Sequence, residues 1–171
     1  MKTFLLVSSF FLVVLGAKSQ SAEGFYNRAN AKLIKEDFSG AIVDYNEAIR
    51  IRSTFSMAYY NRANAKARMN DFQGALDDLN ECLKQEPTFA NAYYSRGLAK
   101  KALKDYSGAI TDYNEAFKLQ PKNTQALYNR GIAKYHLEDK MGACSDWIAA
   151  QNMGLTGVEE NIKKHCPKKM R

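Results

Sequence analysis

The chain has 171 residues, 46% of them hydrophobic, with 25 Lys and Arg against 18 Asp and Glu and a formal net charge of +7. That is enough apolar material for one domain with a sizeable core, and three prolines are few for a disordered chain. Two histidines and three cysteines leave little from which to build a metal centre, and a basic excess of this size favours acidic partners only weakly.

Lys2 precedes an unbroken apolar and small stretch from Phe4 to Ala17, followed by Lys18-Ser19-Gln20. This is the layout of a secretory signal peptide with small residues near the cut, and it predicts a signal at residues 1–19 removed after Ser19. The apolar run falls short of the roughly 20 residues needed to span a bilayer. No cysteine near the cut offers a lipid anchor. The mature protein is therefore expected to be exported, periplasmic or extracellular, without a membrane span.

From Ala22 onward the chain repeats itself. A shift of 34 residues aligns Tyr26, Tyr60, Tyr94 and Tyr128. Within each copy the apolar and small residues recur at helical spacing in two stretches, for example Tyr60, Ala63, Ala67 and then Ala75, Leu76, Leu79, Leu83. Met69-Asn70-Asp71-Phe72 separates them, so each copy reads as two helices and a tight turn. The copies span 22–55, 56–89, 90–123 and 124–157, the last being degenerate. Asp37, Asp71, Asp105 and Asp139 stand before the second helices, where a carboxylate accepts from free backbone amides and favours the helix dipole. Gly40, Gly74, Gly108 and Gly142 recur with them once per copy and are no phosphate loop.

Three columns admit only small residues: Ala29, Ala63, Gly97, Gly131; Ala41, Ala75, Ala109, Ala143; and Ala48, Cys82, Ala116, Ala150. Such columns mark close helix contacts that a larger side chain would overfill. Two charged columns run alongside, Arg28, Arg62, Arg96, Arg130 on the first helices and Asp44, Asp78, Asp112, Asp146 on the second. Stacking predicts that each arginine pairs with the aspartate of the preceding copy, Arg62 with Asp44, Arg96 with Asp78 and Arg130 with Asp112, fixing register more than adding net stability.

Beyond the last copy, Thr156-Gly157-Val158-Glu159 has the spacing of a capping box, and Val158, Ile162 and Cys166 share one helical face until Pro167. Residues 158–171 are read as a capping helix and a basic tail that cover the open end of the stack. Cys82 fills a small-residue column and is expected to be a free, compact apolar side chain. Cys144 on the last second helix and Cys166 on the cap are the pair expected to form a disulfide in an oxidising compartment.

A 34-residue helix-turn-helix unit with small residues at its contacts resembles the tetratricopeptide repeat family. Pro87 and Pro121 match its closing proline, whereas Ser53 and Leu155 depart from it, and Lys140 and Met141 depart from the earlier turns. The resemblance implies an all-α fold, a right-handed solenoid of four helix-turn-helix repeats with a C-terminal capping helix. It also implies a non-enzymatic scaffold or adaptor that binds an extended peptide or partner segment in a groove lined by the first helices. That lining is Tyr26, Asn27 and Asn30; Tyr60, Asn61, Asn64 and Arg68; Tyr94, Ser95 and Lys101; and Tyr128, Asn129 and Tyr135. Tyrosine offers amphipathic area and asparagine a paired donor and acceptor for a peptide backbone.

Family members that grip a chaperone's C-terminal carboxylate use two asparagines with lysines and an arginine. Asn30 and Asn61 match, but Tyr26, Asn91 and Ser95 stand in the cation places, which argues against that clamp. The competing expectation is an accessory or regulatory subunit of an envelope enzyme complex with one obligate partner. His136 and His165 have no second ligand at metal-site spacing, and no catalytic constellation can be drawn, so no cofactor, metal or enzymatic activity is expected. Nucleic acid is not an expected partner either, because the tyrosines follow the repeat period and the basic residues are interleaved with acids.

Overall fold

The computed structural model describes residues 21–170, so the predicted signal segment at 1–19 lies outside the described residues. They form nine α-helices and no strand. In chain order these are α1 (Ala22–Ile34), α2 (Phe38–Ile51), α3 (Ser56–Arg68), α4 (Phe72–Gln85), α5 (Ala90–Ala102), α6 (Tyr106–Leu119), α7 (Thr124–His136), α8 (Lys140–Asn152) and α9 (Glu159–His165), before a short 3-10 turn at Lys168–Met170. None of the described helices is long and apolar enough to cross a membrane. The chain divides into two compact parts, one through Asp71 and one from Phe72, with the boundary in the turn between α3 and α4.

In the first part Ala29, Ala41, Tyr45, Ala48 and Ala58 form a fully buried cluster, flanked by Phe25, Tyr26, Leu33, Ile49 and Phe55. In the second part Tyr113 is buried with Ala109 and Ala133 beneath Tyr94 and Leu98. Trp147 is buried with Ala143, Cys144, Val158, Ile162 and Cys166. The column of small residues exists to admit these aromatics. A Cβ on Gly97 would stand 2.6 Å from the Tyr113 ring, and one on Gly131 would stand 2.6 Å from the Trp147 indole nitrogen. Fully burying one such side chain contributes about 1.5–3 kcal/mol, which a single added methyl group here would put at risk.

The turns inside the helix pairs follow one rule. Asp37, Asp105 and Asp139 cap α2, α6 and α8, each accepting from the amide of Gly40, Gly108 or Gly142 at 2.9 Å. The residue before each capping aspartate is left-handed: Glu36, Lys104 and Glu138 have φ of 59°, 65° and 62°, as does Asn70 at 64°. Only Asn70 is a residue type that adopts this region readily, and for the others it costs about 1 kcal/mol.

The cap differs from expectation in one detail. Helix α9 starts at Glu159 with Val158 as its N-cap and no side-chain cap hydrogen bond. The left-handed turn at Gly157, φ 82°, places Thr156 two residues ahead of the N-cap, so the predicted capping box does not form.

Candidate functional site

Each part carries tyrosine–asparagine hydrogen bonds between its helices. In the first part the Asn61 amide on α3 donates to the Tyr26 hydroxyl at 3.0 Å and to Asn30 Oδ1 at 3.1 Å. Tyr45 on α2 donates to the same Asn30 oxygen. In the second part Asn129 on α7 donates to the Tyr94 hydroxyl on α5 at 3.1 Å, and Asn161 on α9 donates to the Tyr128 hydroxyl on α7 at 3.1 Å. The capping helix thus presents the asparagine that a further first helix would supply. Burial raises the Tyr94 hydroxyl above the usual tyrosine range.

These bonds locate most of the predicted lining. Tyr26 and Asn30 are tied to Asn61, Tyr94 to Asn129 and Tyr128 to Asn161, leaving partly exposed tyrosine rings with fixed hydroxyls. Tyr60, Asn64 and Ser95 are partly buried and Asn27 is exposed. The Arg68 guanidinium lies 5.4 Å from the centre of the Phe38 ring. Tyr135 is drawn toward the end of the chain, its ring 4.5 Å from His165 and 5.9 Å from Trp147. Lys101 is partly buried and donates from Nζ to Asn129 Oδ1 at 2.6 Å, and burial pulls its ammonium below the usual lysine range.

The arginine and aspartate columns are both used, with a different pairing. Arg28 grips Asp44 through Nε at 2.8 Å and through Nη2. Arg96 grips Asp112 at 3.0 and 2.7 Å, and Arg130 grips Asp146 at 2.8 and 2.6 Å. The expected pairs Arg62 with Asp44, Arg96 with Asp78 and Arg130 with Asp112 are therefore corrected: Asp44, Asp112 and Asp146 are gripped by Arg28, Arg96 and Arg130, each from its own helix pair. What each arginine takes from the preceding pair is an asparagine two residues past the aspartate: Asn46 for Arg62, Asn80 for Arg96 and Asn114 for Arg130, at 2.7, 2.8 and 2.7 Å. Two residues rotate a helical side chain by roughly 200°, so the aspartate faces back into its own hairpin while the asparagine faces onward.

A lysine one turn after each arginine completes the site. Lys32, Lys100 and Lys134 reach Asp44, Asp112 and Asp146 at 2.8, 2.8 and 2.9 Å. Each of these buried carboxylates thus sits between two cations. The hydrogen bond from Arg28 holds Asp44 below the usual carboxylate range despite its burial.

Two family profiles match the chain, one described as TPR repeat over residues 101–137 and one as tetratricopeptide repeat over residues 60–110. The chain is a tetratricopeptide-repeat protein. Its all-α fold is that of TPR solenoids and is similar to the crystal structure of MamA, at TM-score 0.78 and 21% identity over 90% of this chain and 87% of that one. It is also similar to the first TPR of Spaghetti (RPAP3) bound to HSP90 peptide SRMEEVD, at TM-score 0.68 and 26% identity over 70% of this chain and 95% of that one. The Arabidopsis OM64 TPR domain gives a TM-score of 0.66 and 28% identity over 67% of this chain and 95% of that one. No curated protein matches.

The end of this TPR chain is built as a cap. Cys144 on α8 and Cys166 after α9 have their sulfurs at bonding distance and their Cα atoms 5.5 Å apart, inside the cluster that holds Trp147. Cys82 is buried and reduced, and burial pushes its thiol up to about 12. The histidines serve as rings: His136 stacks on Tyr106 at 4.4 Å, and His165 touches Tyr135 and Trp147. Among the described residues no group of three His, Cys, Asp or Glu side chains is placed to hold a metal ion.

Proposed function

We propose that this TPR protein is an exported interaction scaffold whose tyrosine-bearing first-helix faces bind an extended segment of a protein partner. The observation that carries the reading is the hydrogen bonding of Tyr26, Tyr94 and Tyr128 to the asparagine that follows each. Hydroxyls fixed in this way hold the rings in one orientation before any partner arrives, so little rotamer entropy is lost on binding, and ordered aromatics are the usual anchors of an interface. The similar TPR of Spaghetti, in complex with its HSP90 peptide, supports a peptide as the kind of partner. The partner is of another kind than a chaperone tail, because Tyr26, Asn91 and Ser95 occupy the cation places of the carboxylate clamp. Export rests on the N-terminal segment, and a Cys144–Cys166 bridge suits the oxidising compartment it leads to.

Capture from an envelope extract tests the reading. Replacing Tyr60 and Tyr94 by Ala is expected to weaken retention of the partner by about 1–4 kcal/mol, with the helical circular dichroism unchanged. Undiminished capture by the folded double variant rejects it. A single stoichiometric partner with no affinity for isolated peptides assigns the chain instead to an obligate complex. N-terminal sequencing of the exported protein is expected to begin at Gln20.

A further inference from the structure

Helices α3, α5 and α7 contain arginine and lysine but no aspartate or glutamate, while the second helices α2, α4, α6 and α8 carry the acids. In the part from Phe72 onward most first-helix cations are committed to buried aspartates, Arg96 and Lys100 to Asp112 and Arg130 and Lys134 to Asp146. Lys101 is not. It is partly buried, and its partner among the described residues is the neutral Asn129 Oδ1 at 2.6 Å. An ammonium has three donors, so two remain beyond that bond. A charge withdrawn from water without a counter-charge is unfavourable, and Lys32, Lys100 and Lys134, also partly buried, each face a buried carboxylate. Asn129 is itself buried and held in place by its bonds to the Tyr94 hydroxyl and the Gln125 carbonyl, so it fixes the direction of the ammonium.

We propose that Lys101, positioned by Asn129, is the receptor for a glutamate or aspartate side chain within an extended segment of the protein partner. This rests on the reading that the first-helix face binds such a segment. The acid-free helices α5 and α7 favour an acidic segment over a basic one, and a bound carboxylate supplies the missing counter-charge. Burial, which pulls the ammonium below its usual range, strengthens the pair once the carboxylate displaces the remaining water.

Selection from a random dodecapeptide phage library on the whole mature chain tests this, with enriched peptides resynthesised as C-terminal amides. The expected consensus carries one acidic residue at a fixed position. Changing that residue to Gln is expected to weaken binding to the natural chain by about tenfold or more. Against the Lys101→Met variant the same change has little further effect, while Lys101→Arg retains the acidic preference, and circular dichroism checks that both variants fold. Three results overturn the proposal while leaving peptide binding intact: a consensus without an acidic position, an equal loss on Gln substitution with Lys101→Met, or binding that requires a free C-terminal carboxylate. Absence of any enriched peptide removes the underlying peptide-binding reading and the proposal with it.

Discussion

The Tyr45 hydroxyl donates to Asn30, and in the third helix pair, where Tyr113 occupies the corresponding place, Leu98 stands where Asn30 would be. The Tyr113 hydroxyl is consequently buried with no hydrogen-bond partner among the described residues. Removing a bonded buried hydroxyl and removing an orphaned one have opposite consequences. Tyr45→Phe is expected to destabilise by about 1 kcal/mol, whereas Tyr113→Phe is expected to be neutral or stabilising by a similar amount. Urea titration of the two variants measures the difference, and equal losses would contradict the assignment of partners.

Asp112 is 2% exposed and lies between Arg96 and Lys100. Either cation alone keeps the carboxylate compensated, so Arg96→Ala and Lys100→Ala are each expected to cost about 1–2 kcal/mol. Together they leave a buried charge unpaired and are expected to cost more than the sum, about 3–5 kcal/mol. Adding Asp112→Asn to the double variant is expected to recover part of the loss. Additive denaturation midpoints would show that the two cations act independently.

Asp44 gives a pH dependence with a defined sign. Its carboxyl is held below the ordinary value of 3.8, chiefly by the hydrogen bond from Arg28. The native state therefore binds fewer protons than the unfolded chain near that pH, and the stabilisation is complete above it and lost as pH falls through the lower native value. The melting temperature of the natural chain is expected to fall more steeply below about pH 4 than that of Asp44→Asn. Parallel curves between pH 7 and 2 would remove Asp44 as the titrating group.

Cys144 and Cys166 close a loop with a sequence separation of 22. Replacing both by Ser is expected to cost about 3 kcal/mol from the unfolded-chain entropy alone. Non-reducing peptide mapping of the protein should show these two peptides linked. Cys82, with its thiol pushed up to about 12 and buried, is expected to react with an alkylating reagent only after denaturation. Three thiols alkylated in the native state would refute both statements.

Lys104 occupies the left-handed region at φ 65°. Lys104→Gly is expected to stabilise by up to about 1 kcal/mol and Lys104→Val to destabilise by a similar amount. A melting temperature lowered by glycine would indicate that the lysine side chain has a role beyond the turn.

The helix pairs were legible because their columns answer to short-range sterics: Gly97 and Gly131 are glycine since Tyr113 and Trp147 lie against them. The ion-pair partners were less legible. From an arginine, the aspartate of its own pair stands 16 residues forward and that of the preceding pair nearly as far back. Column alignment cannot choose between them. A signal that points the right way is the lysine four residues after Arg28, Arg96 and Arg130, which stacks with it on one helical face toward a single carboxylate. The tyrosine–asparagine bonds follow a spacing of 35, and Asn161 breaks that count by two residues, so the cap's imitation of a repeat escapes a search by period. The left-handed positions carry Glu and Lys in place of Gly, and the turn gives no sign of itself there.

Arg96 and Arg130 each reach 16 residues forward to an aspartate and 16 residues back to an asparagine. Because both reaches are equal, this arginine joint between neighbouring copies is written in residues that recur with the period. Cutting out residues 90–123 brings Asn80 into the relation with Arg130 that Asn114 now holds, with the Asp146 grip untouched. The seam heals without new sequence. Such a gene can therefore grow or shrink by unequal recombination in whole periods and yield a foldable product each time, and the shortened chain is expected to melt in one cooperative step followed by circular dichroism. A deletion shorter or longer by two residues leaves the arginine opposite the wrong side chain and is expected to yield no such transition.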